Sequence, residues 1–316
     1  MLLLYGGNGF LGTHIAQIAM ERGIVVAVAG RRDSLSPRLP KGALYAQVGS
    51  ERLDEILSQT NTIVYLAQAS RPSRTESGLT HELTTNVKST SDFINNLVVR
   101  GFPGQLFYMS SGGQVYGKRG NRPALESDLL RPNTNYGMGK LLCEEVVNYG
   151  RRVNGLNAAI LRVANPVGHA QIGTGHGLVG AIFRAIRDEV PLSLFGTGQN
   201  VRDYFSADDL GGFILDLHTK GWRGDGTFNI GSGIGLREVD VLEMVGSVIG
   251  KTPEIIFKDA RSFDLPYAVL DPGKAVRQLG WDGSRNFSDI LTSMAQKSLR
   301  FNTRQNPTSV TSSPKM

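Results

Sequence analysis

The sequence has very little cysteine and no long hydrophobic run. Cys143 is the one cysteine among 316 residues, so no disulfide can form within the chain. A chain without disulfides is typical of a reducing compartment, and we expect a cytoplasmic protein. No apolar run approaches the ~20 residues that a membrane-spanning helix needs, and Met1–Tyr5 lacks the basic start of a signal peptide. We therefore expect neither a disulfide-stabilised secreted domain nor a membrane protein.

Acidic residues are outnumbered, but the excess of positive charge is not clustered. The 34 Lys and Arg against 28 Asp and Glu give a formal net charge of +6 and a pI of about 9.5. No run of Lys and Arg exceeds two residues, and no basic stretch is interleaved with aromatic residues. This pattern does not favour a nucleic-acid binder. Scattered cations, some of which serve an anionic cofactor or substrate, explain the charge better.

The order of apolar and amphipathic segments predicts an α/β fold. Over the first two-thirds of the chain, short apolar runs alternate with longer amphipathic stretches, as in a parallel sheet with helices on both faces. We predict a Rossmann-type doubly wound parallel sheet in residues 1–165, with 201–231 returning to it. The remaining predicted units are a smaller C-terminal substrate-binding lobe (166–200 and 232–301) and a disordered tail (302–316).

The strongest cofactor signal is a glycine-rich turn between the first predicted strand and the first predicted helix. Glycines in the pattern Gly6-x-x-Gly9-x-x-Gly12 permit a tight turn and a close backbone approach to a pyrophosphate. The helix N-terminus then supplies N–H donors and the positive end of its dipole. Because the triplet has these flanks, we predict a dinucleotide site rather than a plain turn. The predicted cofactor residues of this unit are Gly6, Gly9, Phe10, Leu11, Gly12 and Ala67.

The end of the second strand bears on which dinucleotide binds. Enzymes that select NAD place Asp or Glu there to bond the ribose 2′-OH, whereas this strand ends in Gly30-Arg31-Arg32. A 2′-phosphate would meet no carboxylate and could pair with the guanidinium groups. We therefore expect NAD(P), with NADP favoured over NAD. The alternative is that the arginines stack on adenine or face solvent while Asp33 bonds the ribose of NAD.

Tyr136 and Lys140 predict a proton-transfer site. Residues four apart on a helix lie on one face, and an ammonium beside a phenol lowers the pKa of the phenol. Such a phenolate is a general base for an alcohol. Because the pair follows a dinucleotide site, the sequence predicts an enzyme that oxidises or reduces a carbinol.

Seven segments together resemble the extended short-chain dehydrogenase/reductase family, in its UDP-glucose 4-epimerase-like branch of nucleotide-sugar epimerases and dehydratases. The segments, in chain order, are Gly6-Gly-Asn-Gly-Phe-Leu-Gly12, Asn86-Val87, Ser110-Ser-Gly-Gly-Gln-Val-Tyr-Gly117, Tyr136-x-x-x-Lys140, Asn165-Pro-Val-Gly168, Val201-Arg-Asp-Tyr204 and Leu279-Gly-Trp281. The resemblance covers residues 1 to about 282. It implies a role in polysaccharide biosynthesis and a homodimer joined through 82–100 and 136–154.

The resemblance implies that Tyr136 is the acid/base and that Lys140 lowers its pKa and bonds the nicotinamide ribose. Family members carry a Ser or Thr four residues before the Tyr of Val-Tyr-Gly, and this chain has Gly112 there. Ser111 is the expected substitute, although Ser110 and Ser111 could instead satisfy backbone groups at a strand end. The Asp-Glu pair of the family's dehydratases is Gly113-Gln114 in this chain, which argues against sugar dehydration.

The resemblance also implies a diphosphate-binding substrate lobe. The matching residues are Asn86, Asn165, Ser193, Phe195, Arg202 and Arg261. Ordinary ion pairs with Asp203 and Asp264 are the alternative roles of the two arginines. His169 and His176 lie in a glycine-rich segment without a carboxylate or cysteine cluster at ligand spacing, so we expect no metal.

Three functions remain open from the sequence. The first is an NAD(P)-dependent epimerase that acts on a nucleoside-diphosphate sugar by transient oxidation at C4. The second is a 4-ketoreductase that consumes NADPH, which Gly30-Arg31-Arg32 favours. The third is a non-catalytic dinucleotide sensor or RNA-associated protein, which the basic pI and Gly112 favour and the Tyr136/Lys140 pair opposes.

Overall fold

The computed structural model describes residues 1–70, 78–172 and 177–305, with side chains up to residue 297. His176 and the tail from residue 306 onward lie outside the described residues. Within the described part of the chain, no helix is long and apolar enough to cross a membrane.

Seven parallel strands form the central sheet. Numbered in chain order, they are β1 (Leu2–Tyr5), β2 (Val26–Gly30), β3 (Leu44–Gln47), β4 (Thr62–Tyr65), β5 (Gln105–Ser111), β6 (Ala158–Val163) and β10 (Gly226–Ile230). They lie side by side in the order β10-β6-β5-β4-β1-β2-β3. The strand order reverses between β1 and β4, and in open α/β sheets ligands bind at such a switch point, beyond the carboxyl ends of the strands.

Helices cover both faces of this sheet. The helices are α1 (Phe10–Glu21), α2 (Glu51–Ser58), α3 (Leu79–His81), α4 (Lys88–Val99), α5 (Gly112–Val115), α6 (Asn135–Asn154), α7 (Leu178–Asp188), α8 (Ala207–Thr219), α9 (Glu238–Ile249), α10 (Gly273–Leu279) and α11 (Phe287–Gln305). A π-helical turn (Glu82–Val87) leads into α4, and a 3-10 turn spans His169–Gln171.

The alternation of side chains along β1 explains the two core layers. Leu2 and Leu4 pack in one apolar cluster with α1 and α8, and Leu3 packs in a second cluster with α4 and α6. Since successive residues of a strand point to opposite faces, a strand buried on both faces must be apolar throughout. Helices α1 and α6 therefore lie on opposite faces of the sheet.

The C-terminal lobe contains two small sheets and a core of its own. Strand β9 (Val201–Ser206) pairs with β7 (Asn165–Val167), β11 (Gly235–Arg237) and β13 (Tyr267–Ala268), and β8 (Leu192–Phe195) pairs with β12 (Ile255–Lys258). A third apolar cluster joins α7, α9 and α11.

The predicted fold class is confirmed, and three local details differ from the prediction. Of the segment expected to return to the main sheet (201–231), β9 joins the small sheet, whereas α8 and β10 do return. The helix predicted over 82–100 begins with the π-helical turn. Helix α11 extends to Gln305, past the predicted start of the tail at 302.

Candidate functional site

The glycine-rich turn connects β1 to α1 at the switch point of the sheet. Gly6 has a φ of +82°, and its N–H donates to the carbonyl oxygen of Ala29 at 2.8 Å. A Cβ at Gly6 would lie 2.4 Å from the backbone nitrogen of Ala67, and one at Gly12 would lie 1.9 Å from the carbonyl oxygen of Gly7. Glycine is therefore required at both positions. The structure brings the predicted residues Gly6, Gly12 and Ala67 together.

The N-terminus of α1 is open to an anion. Gly9 precedes the helix, supplies no side-chain cap, and has no described heavy atom within 4 Å of the place where its Cβ would be. Phe10 and Leu11 occupy the first helical positions, whose N–H groups have no acceptor inside the helix. With no acidic residue in the first turn, these donors fit a dinucleotide pyrophosphate.

A side chain at the end of β2 would have to displace Asn8 and Tyr45. A Cβ at Gly30 would lie 2.7 Å from Asn8 Nδ2 and 2.9 Å from Tyr45 Oη. Tyr45 Oη also donates to the carbonyl oxygen of Arg32 at 2.6 Å, which ties this segment to the neighbouring strand. Arg31 and Arg32 are exposed, and neither has an ion-pair partner among the described residues. Two uncommitted guanidinium groups therefore follow the strand that usually supplies the ribose carboxylate.

Tyr136 lies in the first turn of α6 and contacts Ser111 at the carboxyl end of β5. Burial raises the pKa of Tyr136 to about 12, and the side-chain hydrogen bond with Ser111 opposes that rise. Thr134 caps the helix by accepting from the N–H of Gly137 at 2.9 Å, and this cap sets the start of α6 one residue before Tyr136. The structure thus places the hydroxyl of Ser111 on the predicted acid/base.

The space beside Gly112 is occupied by Leu270. A Cβ at Gly112 would lie 2.4 Å and 2.8 Å from the two methyl carbons of Leu270, and 3.1 Å from the carbonyl oxygen of Arg162. Leu270 is buried against Val115 and Tyr116. A Ser or Thr at Gly112, which the resemblance implies, would therefore require Leu270 to move.

Lys140 lies one helical turn after Tyr136 and is 5% exposed. Its Nζ donates to the carbonyl oxygen of Met109 at 2.8 Å and lies 5.2 Å from the centre of the Tyr108 ring. Burial lowers the pKa of Lys140 to about 8. The sequence predicts that Lys140 lowers the pKa of Tyr136, and this effect is not seen. Burial, Glu82 and Cys143 raise the pKa of Tyr136, and the hydrogen bond with Ser111 lowers it.

A buried polar network supports the strand that carries Ser111. Ser110 Oγ donates to Glu144 Oε1 at 2.5 Å, and Arg162 NH2 donates to Glu144 Oε2 at 2.7 Å. Arg162 NH1 also donates to Tyr116 Oη, which in turn donates to Asn229 at 2.6 Å. Ser110 is thus a structural residue, whereas Ser111 is free to face Tyr136.

In the C-terminal lobe, Arg202 does not pair with its neighbour Asp203. Asp203 has no exposed surface and accepts from Ser232 Oγ at 2.6 Å, although burial raises its pKa. Arg202 NH1 instead donates to the carbonyl oxygens of Val201 and Leu265, at 2.9 Å and 2.5 Å. Asn165 Nδ2 donates to the carbonyl oxygen of Asp203 at 2.9 Å. The charge of Arg202 therefore has no carboxylate hydrogen-bonded to it among the described residues.

Arg261 covers the ring of Phe195. Its guanidinium carbon lies 4.2 Å from the centre of that ring, and Asp264 accepts two hydrogen bonds from it, each at 2.8 Å. The ion pair considered as an alternative from the sequence is thus present, whereas the contact between Arg261 and Phe195 was not predicted. Ser193, two residues before Phe195 on β8, is exposed.

A cluster of His14, His169 and Asp208 links α1 to the substrate lobe. His14 Nδ1 lies 2.5 Å from Asp208 Oδ1, and His14 Nε2 accepts from the N–H of Ala170 at 3.3 Å. The three residues have ligand atoms close enough for a metal ion, but both nitrogens of His14 are engaged in hydrogen bonds. A Cβ at Gly168 would lie 2.5 Å from this ring, so we assign the cluster to contact between layers.

Several of these residues were not identified from the sequence, namely His14, Glu82, Glu144, Arg162, Asp208 and Leu270. Glu144 lies four residues after Lys140, and Glu82 four residues before Asn86, so helical spacing alone could have indicated both. The contact of Leu270 with Gly112 joins segments 158 positions apart, and local sequence carries no signal for it.

Comparison with known proteins is consistent with this geometry. The model of the NAD dependent epimerase/dehydratase family matches residues 2–231. Among curated proteins, the chain is 29% identical over 295 residues to a dTDP-4-dehydro-6-deoxyglucose reductase of Escherichia coli, covering 89% of this chain and 92% of the relative. It is 27% identical over 291 residues to a putative UDP-glucose 4-epimerase of Methanocaldococcus jannaschii, with the same coverage of 89% and 92%.

Two solved structures share the fold over nearly the whole chain. The UDP-glucose 4-epimerase of Thermotoga maritima, solved with UDP-glucose, superposes with a TM-score of 0.85 at 25% identity, covering 95% of this chain and 99% of that one. The UDP-glucose 4-epimerase of Thermus thermophilus, in complex with NAD, gives a TM-score of 0.83 at 25% identity, covering 95% and 98%.

Proposed function

Since this chain belongs to the NAD-dependent epimerase/dehydratase family, we propose that it is a 4-epimerase of a nucleoside-diphosphate sugar that uses NAD(P) and Tyr136 as its acid/base. The observation that carries the proposal is the position of Tyr136, which contacts Ser111 at the carboxyl edge of β5 and lies one helical turn before the buried Lys140. This edge also holds the glycine-rich turn and the open N-terminus of α1.

The reaction at C4 follows from these two side chains. The C4 hydroxyl gives its proton to the oxygen of Tyr136, and the C4 hydrogen leaves with its electron pair as hydride, so that the carbinol becomes a ketone. The bound nicotinamide supplies the hydride acceptor and, when oxidised, a positive charge that favours the phenolate. Ser111 bonds the reacting oxygen and relays its proton, and the ketone receives hydride on its other face after it turns in the site.

Lys140 places an amine near this centre that can gain or lose its proton close to neutral pH. Its pKa of about 8 means that the amine is mostly protonated at neutral pH and loses its proton as the pH rises above that value. In the proposed complex, Lys140 donates to the nicotinamide ribose as well as to Met109. The raised pKa of Tyr136 keeps the phenol protonated until that complex forms.

The substrate lobe supplies cations for a diphosphate and an aromatic wall for a base. Arg202 donates to backbone carbonyls rather than to a carboxylate, and its charge also acts on the nearby Glu238. Arg261 lies over Phe195, where a nucleobase would stack, and Ser193 is exposed on the same strand. With Asn165 on β7, these groups support a nucleoside-diphosphate sugar as substrate. The UDP-glucose in the Thermotoga maritima enzyme is consistent with this substrate class.

A second function, an NADPH-dependent 4-ketoreductase, is favoured by a specific observation. Gly30 carries no carboxylate, a side chain there would displace Asn8 and Tyr45, and Arg31 and Arg32 are uncommitted. These features favour NADP over NAD, and a consumed reductant is usually NADPH. Asp33, held by Gln47 at 3.1 Å, is the group that would instead bond the ribose of NAD. The reductase relative from Escherichia coli supports the same alternative.

Incubation with a panel of nucleoside-diphosphate sugars and their 4-keto derivatives distinguishes the epimerase from the reductase. We expect interconversion of C4 epimers without net consumption of cofactor, whereas net oxidation of NADPH with a keto sugar assigns the reductase. Tyr136→Phe should abolish either activity, with a loss of at least about 10²-fold, and should retain the fold. Unchanged activity in Tyr136→Phe would sink both enzyme functions and revive the non-catalytic dinucleotide sensor.

The proposed enzyme is a homodimer that pairs through α4 and α6. Apolar side chains on the outer surface of these helices are exposed, including Val99, Tyr149 and Val153 at 78%, 56% and 55%. Exposed apolar groups on two adjacent helices are typical of a protein interface. Sedimentation of the purified chain measures the assembly, and a monomer at micromolar concentration contradicts it.

A further inference from the structure

Glu82 is a buried carboxylate behind the reactive centre. It opens the π-helical turn before α4 and has no exposed surface. Its Oε2 accepts from Asn86 Nδ2 at 2.7 Å, whereas its Oε1 has no hydrogen-bond partner among the described residues. An unsatisfied buried carboxylate oxygen is costly. We therefore expect the charge of Glu82 to act on the reactive side chains next to it.

Helix α6 is shaped to receive this carboxylate. A Cβ at Gly139 would lie 2.4 Å from Glu82 Oε2. Glycine inside a helix costs about 1 kcal/mol relative to alanine, and here it allows the carboxylate to lie against the helix backbone. Gly139 stands between Tyr136 and Lys140, so the carboxylate contacts the segment that carries both.

Asn86 connects the same carboxylate to the cofactor side of the sheet. Its Oδ1 accepts from the N–H of Ala69 at 2.9 Å, and its Nδ2 also donates to Ser70 Oγ at 3.0 Å. These residues follow β4 in the loop that begins beside the glycine-rich turn. The Glu82–Asn86 pair is therefore anchored at one end and cannot swing away from α6 without breaking this loop.

Other charged and titratable groups surround this end of α6. On α6 itself, Glu144 is paired with Arg162 from β6. From β5, the Tyr108 ring contacts Lys140. His81, on α3, is exposed. Burial is the largest cause of both pKa shifts. Glu82 and the Cys143 thiol add to the raised pKa of Tyr136, whereas Cys143, Glu144 and Glu82, in that order, act against the lowering of the pKa of Lys140.

We propose that Glu82 is a positioning residue: locked by Asn86 and seated on Gly139, its carboxylate is held against the segment of α6 that carries Tyr136 and Lys140. From this position it favours the protonated forms of Tyr136 and Lys140 before substrate binds. Its role in turnover rests on the proposed function, but its effect on Lys140 does not.

The test measures Lys140 directly in the purified protein, with its cofactor as it copurifies. Selective ¹³C labelling of the lysine ε-carbons gives a titration curve by NMR, and Lys140→Arg assigns the signal with the depressed midpoint. In Glu82→Gln, which can still accept from Asn86, we expect the midpoint of Lys140 to fall by about one pH unit. Glu145→Gln removes a charge from the exposed surface of α6 and should leave the midpoint unchanged.

Two further measurements complete the test. Gly139→Ala displaces the carboxylate without removing it, favours the helix, and should also lower the midpoint. The acid limb of kcat/KM for sugar oxidation should move to lower pH in Glu82→Gln by a similar amount, because loss of the negative charge lowers the pKa of the phenol. An unshifted Lys140 midpoint in folded Glu82→Gln overturns the inference. A shifted midpoint in a protein without sugar activity supports it and refutes the proposed function.

Discussion

Leu270 occupies the space in which a side chain at position 112 would have to lie, 2.4 Å from an added Cβ. This chain lacks the hydroxyl that the family pattern implies at Gly112, and we propose that the hydroxyl of Ser111, which lies beside Tyr136, takes its place. The sequence showed that the pattern departs here, and it offered Ser111 as the substitute. It could not show why the change is needed, because Leu270 is distant along the chain.

At the scale of single residues, we expect Ser111→Ala to lower kcat by about 10²-fold, because the reacting oxygen loses a partner that relays its proton. Ser111→Thr keeps a hydroxyl and is the matched control. Steady-state kinetics with the best substrate of the panel measure both. Wild-type turnover in Ser111→Ala contradicts the assignment.

The close contact between Gly112 and Leu270 can be tested by substituting both residues. Gly112→Ser should destabilise the protein through its clash with Leu270, whereas Gly112→Ser combined with Leu270→Ala should relieve the clash and fold. Thermal unfolding of the two variants reports the coupling. Additive effects of the two changes would show that the sites do not interact.

At the scale of elements, much of the fold follows from local patterns. Apolar runs and periodicity predict strands over residues 2–5 and 158–163 and a helix over 178–188, and the limits of β1, β6 and α7 agree with these predictions. The π-helical turn before α4 lies in a segment that the sequence predicts as regular helix, and its Glu82 lies against Gly139 of α6. The short strands β11 and β13 also lacked a signal, since each pairs with β9 over no more than three residues.

The segment after β2 carries the prediction on cofactor choice. Replacing Arg31 and Arg32 by Ala should raise the KM for NADPH roughly tenfold for each guanidinium group that bonds the 2′-phosphate, and should leave the KM for NADH nearly unchanged. Arg52→Ala on α2 removes an exposed charge that is paired with Glu55 and serves as the control. Equal effects on both dinucleotides, or none, would assign the two arginines to solvent or to adenine stacking.

At the scale of the whole molecule, the two halves meet across the carboxyl edge of the sheet. His14 on α1 bonds Asp208 on α8 and receives the N–H of Ala170 from the segment after β7. Lys297 on α11 donates to the same aspartate at 2.7 Å. Although burial acts to raise it, the pKa of Asp208 is held below its usual value by these partners. The cofactor helix is thereby fixed relative to the lobe that carries Arg202 and Arg261.

In the proposed reaction, hydride leaves and returns to C4 of one sugar within one catalytic cycle. The most direct measurement follows a nucleoside-diphosphate sugar labelled with deuterium at C4 through the wild-type enzyme and Tyr136→Phe. We predict a product with inverted configuration at C4 that retains the deuterium, and no conversion in Tyr136→Phe. A product that has lost the label, or conversion that persists in Tyr136→Phe, would contradict this reaction.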